Sequence, residues 1–184
     1  MSDPLRGLQV PEDISAYAAR AQLTYQFRDA NLSRIQVEGL LASGDPDRLL
    51  TSDTVGGNLA GTDDRAFNSL GFANTGLAFG PSLSNLMSLR VGASTFPMRA
   101  LSGLERLQIG GDVLVFGKLD RRGPIDEPTL ERRYLGVETD LFLNYRVTSD
   151  LAVNVRYGVF FPGAAIDGDH DARHFVLFSA TLSF

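Results

Sequence analysis

The residues with the most chemical potential sit in one short run near the carboxy terminus, DGDHDARH, which gathers Asp167, Asp169, His170, Asp171 and His174. Oxygen donors spaced this closely suit a hard cation such as calcium. The run has no glycine-spaced calcium-loop register and no terminal bidentate glutamate, so Asp167, Asp169 and Asp171 stand as metal candidates beside the simpler reading of a solvated acidic loop. Both histidines of the chain lie in this run, and no GxSxG elbow, HExxH pair, phosphate loop or cysteine accompanies them. No enzymatic activity and no cofactor are expected.

A second set is cationic: Arg20, Arg34, Arg90, Arg106, Lys118, Arg146 and Arg156. What they do depends on the elements that carry them. Apolar and polar side chains alternate along about seven stretches, the signature of strands whose successive residues point to opposite faces. The stretches run over Ala16 to Phe27, Leu32 to Ser43, Leu86 to Phe96, Leu104 to Lys118, Tyr134 to Val147, Leu151 to Phe161 and Arg173 to Phe184. One face collects residues such as Leu23, Val37, Leu89, Val113, Leu135, Leu141, Val153 and Phe178, and the other collects the cations together with Glu38, Asp112, Glu138 and Asp140. Connections run short, long, moderate, long, short, long along the chain. Short turns on one side and long loops on the other, with an apolar outer face, form the pattern of an all-β, antiparallel transmembrane barrel. Tyr25, Phe27, Tyr145 and Phe184 fall at the short-turn ends and Tyr17 and Phe161 at the long-loop ends, as two aromatic girdles would require.

Composition is compatible with that class. The mean hydropathy of −0.03 suits strands of which only alternate residues meet lipid, and no apolar run reaches the roughly 18 residues of a membrane helix. A net charge of −5 argues against nonspecific nucleic-acid binding. The chain reads as one domain over residues 1–184, with 1–15 a leader lacking a basic region followed by an apolar one, hence no secretory signal, and 44–85 a long loop. The absent signal leads to the expectation that the sequence is the carboxy-terminal piece of a longer protein. The long loop is rich in Gly, Asp, Ser and Asn, with Phe72 to Phe79 expected to be extended and its GLAF segment suited to packing inward as a constriction.

Four segments carry a resemblance: ASGDPD from Ala42 to Asp47, GFANTGLAFGPSLSN from Gly71 to Asn85, DLFLNYRVTSDLAVNVRYGVFFPG from Asp140 to Gly163, and the closing HFVLFSATLSF. In these the chain resembles the alginate export porins of the bacterial outer membrane. The resemblance implies a barrel of about 18 strands around an aqueous lumen, of which about seven are represented here, an incomplete barrel. It also implies outer-membrane lipid as surroundings, and Phe184 with Leu182 as the terminal signal read by the barrel-assembly machinery.

On this reading the basic inner face would favour an anionic polysaccharide or another polar solute, moved passively. The same arginines could instead pair with inward carboxylates and brace the wall. Both roles are open for each. Two further readings compete: a soluble antiparallel barrel binding a small ligand, which needs the Tyr17, Leu23 and Phe178 face to point inward, and a nonfunctional truncated remnant. An outer-membrane enzyme would need a serine near the histidines.

Overall fold

Seven strands form where the alternation predicts them, because a period of two buries one face of an extended chain and leaves the other free. In the computed structural model, which describes residues 13–48, 58–59, 61–68 and 73–184, they are β1 (Ala18–Gln26), β2 (Arg34–Ala42), β3 (Leu86–Thr95), β4 (Leu107–Lys118), β5 (Tyr134–Arg146), β6 (Leu151–Pro162) and β7 (Arg173–Leu182). Most of the leader and parts of the long loop, including Phe72, lie outside the described residues. No helix occurs among the described residues.

The sheet is a single antiparallel meander in the order β1 to β7. Each strand pairs with its sequence neighbours only, so β1 and β7 each keep one edge unpaired among the described residues. Three connections fall at each end of the wall: 27–33, 96–106 and 147–150 at one, and the mostly longer 43–85, 119–133 and 163–172 at the other.

The two faces differ in what covers them. The outer face carries Leu23, Leu89, Val91, Val113, Leu141, Val176 and Phe178, all exposed. Tyr17, Leu23 and Phe178 lie on this open face, at 59%, 73% and 66% exposure, which removes the geometry that a ligand-binding soluble barrel needs.

The inner face has two zones. Toward the long-loop end, Leu40, Leu86, Leu114, Phe116 and Phe160 are buried beneath the loops, which supply Ile125, Ala165 and Ile166 to the same core, with Ala73, Ala78, Phe79 and Leu83 packed against it. Further down the strands the inner face turns polar. The core therefore lies inside the sheet's inner surface, at the end where the long loops fold in.

Two expectations are corrected. Leu135, expected outward, is fully buried in that core. A register shift between Phe116 and Gly117, opposite Tyr134 and Gly136, inserts one residue into β5 and swings Leu135 inward. Of the segment expected to be extended, residues 76–79 instead form a turn that lies on the wall.

Asn85 ties the loops together. It sits fully buried at φ 48°, in the left-handed region where asparagine is tolerated better than most residues. Its amide nitrogen donates to the carbonyls of Asp120 at 2.9 Å and Gly123 at 2.6 Å, and its oxygen accepts from the Asp120 N–H at 2.7 Å. Its own N–H reaches the Ser43 carbonyl at 3.0 Å. One residue, through its backbone and its side chain, thus joins the start of the long loop, its end, and the loop after β4.

Candidate functional site: the polar inner face

Alternation places Glu38, Arg90, Asp112, Asp140 and Arg156 on the inner face, and register decides which meet. Glu38 on β2 stands directly opposite Arg90 on β3. Its Oε2 accepts from Arg90 Nη2 at 3.1 Å and from Arg20 on β1, through Nε at 2.9 Å and Nη2 at 2.5 Å. Arg90 Nη1 lies 3.7 Å from Asp112 Oδ1 on β4. Charges of alternating sign thus cross four strands. Nearer the short-turn end a second ladder, with uncharged acceptors, runs parallel to it: Arg34 Nε donates to Ser94 Oγ at 2.9 Å, Gln108 Nε2 to the same oxygen at 3.2 Å, and Asn144 Nδ2 to Gln108 Oε1 at 3.2 Å. Such cross-strand pairs fix register as well as adding stability.

Between the two ladders lies a cavity of ≈ 200 Å³, lined by Arg34, Arg90, Arg156, Asp112, Asn144 and Asn74 among others. Three guanidinium groups face it against one carboxylate. The side chain of Arg156 makes no hydrogen bond or close ion pair within the described residues, and it is exposed.

The other cations sit elsewhere. Lys118 is buried: its Nζ donates to Thr129 Oγ1 at 3.1 Å and to the Leu130 carbonyl at 2.9 Å, so it anchors the loop after β4. Arg106 precedes β4 and Arg146 ends β5, both exposed at the short-turn end. By position, Arg20 and Arg90 pair with Glu38 and Arg34 donates to Ser94, whereas the Arg156 side chain faces the charges of Asp112 and Asp140 without a hydrogen bond to either.

The acidic run converges on nothing among the described residues, where no group of three or more His, Asp or Glu side chains is poised for a metal. Asp167, Asp169, His170 and Asp171 are exposed, and Asp169 Oδ1 accepts the Asp171 N–H at 2.8 Å. His174 turns to the outer face, where its Nδ1 lies 2.7 Å from the Tyr157 hydroxyl.

Two residues at the inner face were not singled out by the alternation. Asn74 reaches the cavity from the long loop. Asn85 organises the loop bases. Glu138 was recognisable as an inward carboxylate, but its partners are backbone N–H groups of residues 77–79. A signal for the inward loops was present in the continuous apolar runs at the long-loop ends of the strands, Val113 to Phe116 and Val159 to Phe161. Strands apolar on both faces are covered on both.

A meander with an apolar outer face, a charged inner face and its longest connections at one end matches the architecture of outer-membrane β-barrel channels. Residues 4–177 match the alginate export family, and the chain belongs to it. That family is one of outer-membrane transport porins. Among curated proteins no relative matches the chain.

Proposed function

We propose that the chain forms part of the wall of a bacterial outer-membrane channel that passes an anionic polysaccharide or another anionic polar solute passively along its inner face. The observation that carries this reading is the convergence of Arg34, Arg90 and Arg156, from β2, β3 and β6, on one cavity with Asp112 as the lone carboxylate in its lining. Several fixed cations that each make a weak contact hold a polyanion without trapping it, which conduction requires. Arg156 is the contact residue, since Arg34 and Arg90 are already engaged by the wall.

The free edges of β1 and β7 set a condition. Unpaired backbone N–H and C=O groups in hydrocarbon cost several kcal/mol each, so further strands complete the barrel, either from a longer parent chain or from other copies.

The test is electrical. Channels isolated from outer membranes with the strands that complete them, placed in planar bilayers under a potassium chloride gradient, should show a reversal potential on the anion-selective side. Arg156→Glu should move it toward cation selectivity. Absence of the chain from the outer membrane, or a reversal potential indifferent to Arg156, would overturn the reading.

A further inference from the structure

The turn at residues 76–79 is bound to the wall in a way that its apolar packing does not require. The Glu138 carboxylate, on β5 and fully buried, accepts backbone N–H groups from three consecutive residues: Leu77 and Ala78 on Oε1, the latter at 2.8 Å, and Phe79 on Oε2 at 2.8 Å. Three converging donors form a nest for an anion, and here the protein's own wall supplies the anion.

Two glycines are cut to this fit. Gly76 has φ 100°, and a Cβ there would lie 2.7 Å from Glu138 Oε1. Gly158, on the neighbouring strand β6, would bring a Cβ to 2.9 Å from Leu77 Cβ and 3.3 Å from the Ala78 nitrogen. Any side chain at Gly158 would push the turn off the wall. Beyond the turn, Phe79 stacks on Phe160. Before it, Asn74 lines the cavity opposite the arginines.

We infer that the segment 73–79 is a fixed constriction of the channel, with Glu138 as the positioning residue that pins it to the wall and thereby sets the size of solute that passes. The inference deepens the channel reading and rests on it for the word channel; the pinning itself does not. Glu138 touches no solute in this scheme. It acts through the turn, by neutralising three N–H groups that would otherwise be buried without acceptors. The constriction is part of the resting structure and presents Asn74, a neutral hydrogen-bonding side chain, to a path otherwise lined by cations.

The chain has no cysteine, so a single introduced thiol reports cleanly. In the full, membrane-inserted chain, Leu77→Cys should react slowly with a water-soluble maleimide, seen as a shifted band on a gel, and leave conductance within about twofold of the wild-type channel. Adding Glu138→Ala should speed the labelling several-fold. Glu138→Ala alone should raise single-channel conductance and admit larger polyethylene glycols in a polymer-exclusion series. Glu138→Gln, which keeps acceptor oxygen but not the charge, should lie between.

Fast labelling of Leu77→Cys in the otherwise native chain would overturn the inference, and so would a Glu138→Ala channel with unchanged exclusion limit and unchanged labelling. If Glu138→Ala fails to assemble, the labelling rate in the Glu138 chain still decides. Slow labelling of Leu77→Cys without any conductance would count against the channel reading and uphold the pinned turn. Conductance with fast labelling would do the reverse.

Discussion

Phe79 lies flat on Phe160, with ring centroids 4.2 Å apart and planes within 2° of parallel. One ring comes from the long loop and the other from the inner face of β6, and Phe116 meets Phe79 edge-on at 5.2 Å. This stack is the apolar half of the attachment whose polar half is Glu138. Phe160→Ala should cost about 3–5 kcal/mol, since it deletes a fully buried ring at the centre of the core. Urea unfolding in detergent measures the loss, and limited proteolysis should find new cleavage between residues 73 and 85. Wild-type protection of that segment would contradict the attachment.

Glu38 offers a contrast within one ion cluster. It is 4% exposed and shared by two arginines. Glu38→Ala leaves Arg90, whose side chain is only 12% exposed, without its closest partner, and should destabilise by about 3 kcal/mol. Arg20→Ala removes an arginine whose side chain is 53% exposed and should cost no more than about 1 kcal/mol. Denaturant midpoints of the two variants, compared at equal slope, check the asymmetry. Equal losses would mean that the cluster is uniformly solvated.

Leu141 points outward and is exposed, whereas Asn154 faces in, opposite Asn144. Leu141→Arg should cost about 2–4 kcal/mol if that face meets the bilayer midplane, and Asn154→Arg should be mild. Refolding equilibria in lipid vesicles give both numbers. Equal tolerance at the two positions would argue against a lipid-facing outer surface.

Phe184 is the most exposed apolar residue among the described residues, beyond the end of β7. Its deletion leaves every strand pairing intact, so stability in detergent should barely change. Outer-membrane assembly in cells should fall several-fold if the assembly machinery reads the terminal residue. Normal assembly of the deletion variant would remove that role from Phe184.

The short turn between β1 and β2 should respond to acid. Asp29 accepts hydrogen bonds from Ser33, through its side chain and its backbone N–H, the latter at 2.8 Å, and these hold its carboxyl below the ordinary 3.8. A carboxylate with a depressed value when folded stabilises above its unfolded pKa, and that contribution disappears as pH falls through the folded value. Protection of the Ser33 amide from hydrogen exchange should therefore be full at neutral pH and decline below about pH 4. Asp29→Asn should flatten the profile.

Strand number, order of short and long connections, and the identity of the outer face were legible in the sequence, because each follows from a period of two in side-chain polarity and needs only near neighbours along the chain. Leu23, Leu89, Leu141 and Phe178 could be placed outward on that rule alone. The motifs of the long loop and of the last three strands were enough to suggest the family.

The site was legible only as a list of inward charges. Which arginine is free and which is spent depends on cross-strand register, and a shift of one residue, like the one that turns Leu135 inward, lies beyond what alternation can report. Glu138, Asn74 and Asn85 owe their roles to backbone groups brought from far along the chain: Glu138 meets a segment about 60 residues before it, and Asn85 one 35 residues after it. A side-chain pattern records the polarity of a residue's surroundings, not which distant N–H or carbonyl supplies it. The sequence by itself determined the wall. The tertiary structure decided what fills it, because only folding brings loop backbone within hydrogen-bonding reach of the strands' inner face.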